Sequence, residues 1–235
     1  TGDLKGYDCE ICKNKGVVYV VKGGCMVAQE CKCIPVRQTL VRMRKSGLED
    51  ALGQNTFDTY IAKEPWQERI KKTAINFLED YQGNWFFIGG QVGAGKTHIC
   101  TALVGEFINR GYAAKYMLWK DEATKLKSVV NDADSYEPLM YELKTIPVLY
   151  IDDFFKTSLD DRGNRVPPTQ GDINLAFEIL NYRYNQNKIT IISSEMTIRE
   201  LIACDEAVGS RIFQRTKKYQ LSLSKDQNKN QRLKE

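Results

Sequence analysis

Short apolar runs alternate along this chain with longer stretches in which apolar residues return every three or four positions. Trp85-Phe86-Phe87-Ile88, Val148-Leu149-Tyr150-Ile151 and Lys188-Ile-Thr-Ile-Ile-Ser-Ser-Glu195 read as buried strands, the last with a polar tip. Between the first two, Ile99, Ala102, Leu103, Glu106, Phe107 and Arg110 keep a helical rhythm that stops at Gly111, a residue suited to the position after a helix. Upstream, Trp66, Ile70, Ala74, Phe77, Leu78 and Tyr81 give a second helix one apolar face. Thr197-Ile-Arg-Glu200 is a capping box that opens a helix, another helix spans Glu206 to Arg215, and Lys217 to Ser224 alternates as a final strand. Near the start, Gly16 to Lys22 looks like a strand and Gly23-Gly24 like a hairpin turn.

The segment between the first strand and its helix carries the strongest chemical signal. Gly90, Gln91, Val92, Gly93, Ala94, Gly95, Lys96 and Thr97 fit the phosphate-binding pattern G-x-x-x-x-G-K-[ST] at every fixed position, with His98 next. Glycines let backbone N–H groups turn inward around a phosphate, and the following helix offers its positive N-terminus to the same anion. Lys96 supplies a compact cation for the β/γ-phosphates, and the Thr97 hydroxyl suits Mg²⁺. Asp152 and Asp153 end the second strand, where one carboxylate is expected to hold Mg²⁺ and the other, Asp153, to activate water. The polar tip of the third strand places Ser194 and Glu195 toward the same phosphates. A GTPase is disfavoured, because Asn187-Lys-Ile-Thr190 lacks the Asp of the guanine-reading pattern. A small-molecule kinase is disfavoured by the paired acids and by the cysteines at the start.

Five of the seven cysteines precede residue 34. Cys9, Cys12, Cys31 and Cys33 form C-x-x-C and C-x-C pairs, a spacing that suits one Zn²⁺ and would supply the stability a small ribbon lacks. Cys25 reads as a spare thiol, and Cys100 and Cys204 as small apolar residues. An odd cysteine count without a leader segment fits a reducing cytoplasm, and no apolar run is long enough to span a bilayer. The net charge of +4 does not by itself point to nucleic acid. Its placement is more useful: Arg37, Arg42, Arg44 and Lys45 cluster on a basic helix from Val36 to Gly47, which is either a solvated linker or a partner surface. Further basic residues lie at 115–127 and 156–165, and contact with DNA is expected at one or the other. The division expected is a zinc-binding module at 1–35, a basic linker helix at 36–55 and an ATPase domain at 56–235, with the polar residues 225–235 frayed.

The phosphate loop, the Asp-Asp strand end, the S-S-E strand tip and Gly209-Ser-Arg-Ile-Phe-Gln-Arg215 together resemble the AAA+ ATPase domain. More narrowly, with C-x-x-C…C-x-C and Thr56-Phe-Asp-Thr-Tyr60, the chain resembles bacterial and phage helicase loaders of the DnaC/DnaI type and the related transposition helper IstB. The resemblance implies an α/β P-loop core, a five-stranded parallel sheet with helices on both faces and a truncated lid, behind a zinc-ribbon-like module. It implies ATP bound at a subunit boundary, self-association through that site, and Arg215 acting in trans as an arginine finger with Arg211 beside it. It also implies a hexameric replicative helicase and single-stranded DNA as partners, with assembly on double-stranded DNA as the alternative. Glu195 stands where the family places a sensor Asn, so either polar sensing falls to Ser194 or hydrolysis is weakened. No lid arginine is evident.

Overall fold

The computed structural model describes residues 9–45, 48–158, 160–162 and 165–233, without the side chains of 42–50. Strands β1 (Val17–Lys22) and β2 (Cys25–Glu30) form an antiparallel hairpin. Its turn residues Gly23 and Gly24 have φ of +60° and +79°, which a tight two-residue hairpin turn requires. Helices α1 (Cys33–Lys45), α2 (Leu48–Gln54) and α3 (Pro65–Glu79) lead to β3 (Phe86–Gly90) and α4 (Lys96–Asn109). Then come β4 (Ala114–Leu118), α5 (Trp119–Ser128), α6 (Ala133–Thr145), β5 (Val148–Asp152), α7 (Gln170–Asn185), β6 (Ile189–Ser194), α8 (Ile198–Cys204), α9 (Glu206–Thr216) and β7 (Gln220–Leu223).

The large sheet has the order β4-β5-β6-β3-β7 with every neighbouring pair parallel, so β3 lies between the two last strands of the chain. A parallel sheet covered on both faces explains why its strands read as continuous apolar runs. Phe86 and Ile88 of β3 face one core with Phe77 and Phe107, while Phe87 faces the other with Leu149 and Phe154. Each buried ring contributes about 1.5–3 kcal/mol. Arg183 of α7 is fully buried in this frame. Its guanidinium donates to the carbonyls of Leu143 and Ile146 at 2.9 Å and of Ile189 at 2.6 Å, and to Thr190 Oγ1 at 3.0 Å. Those acceptors satisfy a charge that would otherwise be costly to bury.

Two expectations change here. First, α1 begins at Cys33, inside the cysteine cluster, so the boundary expected at residue 35 falls within a helix. The helix is no free linker. Val36, Arg37 and Thr39 are buried, and Thr39 Oγ1 accepts from Ala114 N at 3.0 Å on edge strand β4. Arg37 bonds the Asn14 side chain and so leaves the expected basic surface, while Arg42, Arg44 and Lys45 lie outside the described side chains.

Second, the described part of the tail, residues 225–233, rests against the phosphate loop rather than fraying. It forms two short 3₁₀ turns, Gln227–Lys229 and Gln231–Leu233. Asp226 N donates to Gln91 Oε1 at 2.8 Å, and Gln231 N donates to the Gly93 carbonyl at 2.8 Å. Hydrogen bonds to a side chain and a carbonyl of the loop replace the apolar burial that its sequence lacks. Among the described residues no helix is long and apolar enough to cross a membrane.

Candidate nucleotide site and four-cysteine cluster

The loop between β3 and α4 lies at the carboxyl ends of the strands, where open α/β sheets bind ligands. Gly90, Gly93 and Gly95 have φ of +100°, +72° and +79°, conformations that favour glycine. Gly90 also needs its bareness for space, because a Cβ there would sit 2.0 Å from the Leu223 carbonyl oxygen. Lys96 is buried and folds back over the loop, donating to the carbonyls of Gly90 at 2.9 Å and Gln91 at 2.6 Å. Burial pushes its pKa down, and Glu195 leads the carboxylates that oppose the shift. An ammonium held only by loop carbonyls at a helix N-terminus fits a phosphate ligand, and the adjoining cavity of about 320 Å³ is of ligand size.

Asp152 is the focus of the metal side. Its Oδ2 accepts from Thr97 Oγ1 at 3.4 Å and Tyr116 Oη at 3.2 Å, and its Oδ1 accepts from Ser193 Oγ and from Asp153 N at 3.1 Å. Burial first, and the Asp152 carboxylate second, push the Tyr116 phenol well above its ordinary pKa, so it stays a donor. A hydroxyl and a carboxylate meeting in this way fit Mg²⁺, with Thr97 and Asp152 as its holders. Asp153 and Phe155 carry φ of +51° and +54°, conformations that cost of order 1–3 kcal/mol each and cluster at functional sites. The strained turn sends the Asp153 side chain into the cavity, where Lys156 Nζ donates to its Oδ2 at 2.8 Å.

The cavity brings together Val92, Gly93, Gly95, Lys96, Thr97, His98 and Asp153 from the expected set. His98 Nε2 is fixed 2.9 Å from the Thr56 carbonyl oxygen. Ser194 corrects the expectation made of it. Its hydroxyl is fully buried, donates to the Phe154 carbonyl at 2.7 Å and accepts from Met196 N at 3.0 Å. Neighbouring side chains on a strand point to opposite faces, and here it is Ser193 that reaches Asp152. Glu195 lines the cavity in ion pairs with Lys156 at 3.1 Å and Arg165 at 2.8 Å. Burial opposes its ionisation, yet Arg165 and then Lys156 hold its carboxyl below the usual range. The tail adds Gln231 and Arg232 to the lining, so an arginine does reach the cavity from the C-terminal side. No sequence rhythm marks it.

The α9 arginines lie outside this cavity's lining. Arg215 is bound within its own chain, donating to the carbonyls of Gly83 at 2.8 Å and Tyr184 and stacking 4.3 Å over the Tyr184 ring. Arg211 donates to Asn181 Oδ1 at 3.0 Å and the Ala207 carbonyl at 2.8 Å. In the stretches expected to meet DNA, Lys115 pairs with Glu142 and Lys127 with Asp172, each at 2.8 Å.

Cys9, Cys12, Cys31 and Cys33 are buried, and their sulfurs all lie within 4.8 Å of one another. Cys9 and Cys31 are 3.7 Å apart, and Cys12 and Cys33 are 3.5 Å apart. Tetrahedral Zn–S bonds of about 2.3 Å place ligand sulfurs roughly 3.8 Å apart, so the cluster fits that ion. Gly16 N donates to Cys12 Sγ at 3.3 Å, and the Cys12 backbone N–H is the chief cause holding the Cys9 thiol below its ordinary pKa. Cys25 is exposed on the hairpin, away from the four.

Comparison with known proteins adds a frame. The family described as IstB-like ATP binding protein matches residues 12–233. The phage-like element PBSX protein XkdC of Bacillus subtilis (strain 168) is 30% identical over 226 residues, covering 92% of this chain and 82% of its own length. Among solved structures, DnaI superposes with a TM-score of 0.59 at 20% identity, covering 74% of this chain and 92% of its own. The DnaC helicase loader superposes with a TM-score of 0.58 at 22% identity, covering 73% and 96%. Identities at that level establish a shared fold.

Proposed function

Since this chain belongs to the family of IstB-like ATP binding proteins and is an AAA+ ATPase, we propose that it is an ATP-dependent loader that binds a hexameric replicative helicase and delivers it to single-stranded DNA. The observation that carries the reading is the union, in one chain, of a phosphate-loop site with a four-cysteine hairpin whose outward residues Tyr19, Val21 and Met26 are apolar and more than two-thirds exposed. An exposed apolar face on a metal-braced hairpin suits a protein partner. The likeness to the DnaC helicase loader supports the same reading.

Bound ATP with Mg²⁺ supplies the phosphoanhydride to be cleaved, and the chain's own groups do the rest. The loop N–H groups and Lys96 hold the phosphates, Thr97 and Asp152 hold the metal, and Ser193 and Tyr116 keep Asp152 in place. Asp153 activates water, and Arg232 adds positive charge in cis. Arg211 and Arg215 share one face of α9 and serve the nucleotide of a neighbouring copy. Arg215 must first release Gly83 and Tyr184, and Arg211 must release Asn181 and Ala207. Zn²⁺ held by Cys9, Cys12, Cys31 and Cys33 keeps the hairpin folded.

Pull-down with a replicative helicase tests the proposal, with and without zinc chelation. Retention that depends on zinc is the expected result, together with ATP turnover stimulated by single-stranded DNA. Absence of binding in both states would sink it.

A further inference from the structure

The loop that follows β5 carries a group of charges the catalytic reading leaves without work. Lys156, Glu195 and Arg165 run as a chain of ion pairs from the nucleotide cavity to the outer part of that loop. Glu195 occupies the strand tip where a polar donor would face the terminal phosphate. An ionised carboxylate only accepts hydrogen bonds, so Glu195 gives a phosphate oxygen nothing to bind. Ser194 is no substitute, because its hydroxyl is turned to the Phe154 carbonyl.

Lys156 meets the requirement that both fail. Its ammonium has three N–H donors, of which Asp153 takes one at 2.8 Å and Glu195 another at 3.1 Å. The third remains for the cavity, which Lys156 lines beside Lys96 and Thr97. Charge points the same way. The cavity presents the cations Lys96, Lys156 and Arg232 against the carboxylates Asp153 and Glu195. Without Lys156 the two signs balance, and a triphosphate would meet no net attraction from the lining side chains.

We propose that Lys156 is the group that distinguishes a nucleoside triphosphate from a diphosphate in this site, with Glu195 and Arg165 as the arm that passes its state to the loop after β5. The proposal rests on the ATP-binding reading above. With a terminal phosphate in reach, Lys156 gains a third anionic partner and the turn from Asp153 to Lys156 is pinned. With a diphosphate it keeps only its two carboxylates. Glu195 is a positioning residue: it holds Lys156 on one oxygen and Arg165 on the other. Arg165 Nη1 is itself buried with no hydrogen-bond partner among the described residues, so within them the far end of the arm has a donor to spare. Arg162 lies exposed on the same loop, within reach of a protease.

The test compares binding of ATPγS and ADP, each with Mg²⁺, and reads trypsin cleavage after Arg162 by mass spectrometry. The wild-type chain is expected to favour ATPγS by about tenfold or more, the worth of one charge-assisted hydrogen bond, and to be cleaved more slowly with ATPγS than with ADP. Lys156→Gln should lose that preference, its affinity for ATPγS falling about tenfold further than its affinity for ADP, and its cleavage should ignore the nucleotide. Lys156→Arg should restore both. The side chain is 45% exposed, so neither change threatens the fold. Glu195→Gln should retain part of the preference and lose the cleavage response.

A Lys156→Gln chain that keeps the wild-type preference, or that loses both nucleotides alike, overturns the assignment. A Glu195→Gln chain with an intact cleavage response overturns the arm. Should the wild-type chain bind neither nucleotide, the ATP-binding reading itself fails, which is a different result.

Discussion

Thr97 Oγ1 donates to Asp152 Oδ2 across 3.4 Å, joining the first turn of α4 to the end of β5. The two halves of the site are therefore in register, and their substitutions should separate by role. Lys96→Ala should abolish nucleotide binding, whereas Asp152→Asn should bind nucleotide and lose Mg²⁺-dependent turnover. Fluorescent-nucleotide titration and phosphate release distinguish the two. Equal binding by Lys96→Ala and wild type would refute the assignment of the loop.

The tail gives a second prediction. A Cβ at Gly93 would lie 1.9 Å from Asn230 Oδ1, and Gly93 itself has φ of +72°. Gly93→Ala should displace the tail, speed trypsin cleavage after Lys225 and Lys229, and weaken nucleotide binding by removing Arg232 from the cavity. Unchanged cleavage would mean that the tail does not rest on the loop in solution.

Arg211→Ala and Arg215→Ala should part company. Both are expected to bind ATP and to lose the roughly 10³–10⁵-fold that an in-trans arginine supplies to hydrolysis. Arg215→Ala should lower the melting temperature more, because Arg215 ties α9 to both the Gly83 turn and Tyr184, whereas Arg211 ties it to α7 alone, through Asn181 and Phe177. Normal turnover in both variants, with single-stranded DNA present, would remove α9 from the mechanism.

Metal should matter to folding. Cys12→Ser should lower zinc content and the helical signal together, since Cys33 both belongs to the cluster and starts α1. Full zinc occupancy in that variant, measured by atomic absorption, would exclude Cys12 as a ligand.

One cap carries a pH signature. The Thr197 backbone N–H is the chief cause holding the Glu200 carboxyl below its ordinary value of 4.5. A carboxyl with a lowered folded pKa stabilises fully above its unfolded value, and that contribution fades as pH falls through the folded one. The melting-temperature gap between wild type and Glu200→Gln should therefore be present at neutral pH and close on acidification below 4.5. Thr197→Ala should cost about 1 kcal/mol.

Much of this was legible in the residues because it rests on local rules. Apolar runs gave β3, β5 and β6, the capping box gave α8, and the phosphate loop and paired acids gave the site's two halves. Strand β4 was missed: Ala114-Lys115-Tyr116-Met117-Leu118 sits on a sheet edge, where a lysine and a tyrosine dilute the apolar signal. Arg183 is invisible to any rhythm, since its burial depends on carbonyls about forty residues earlier in the chain, at the end of α6. Ser193 and Ser194 were confused because a one-residue step along a strand exchanges the two faces. Arg232 was hidden in a polar tail whose fixed points are backbone hydrogen bonds to a loop 138 residues away, as in Gln231 N to the Gly93 carbonyl.

Helix α1 starts among the cysteines and ends its reach at the sheet, where the Thr39 hydroxyl takes the N–H of Ala114 on the outermost strand. A row of unsatisfied backbone groups on such a strand is a template for another chain to add to. The cysteine cluster is thus also a guard for the edge of the ATPase core. Loss of its thiols should therefore free the Ala114 N–H and open this end of the edge to pairing between copies.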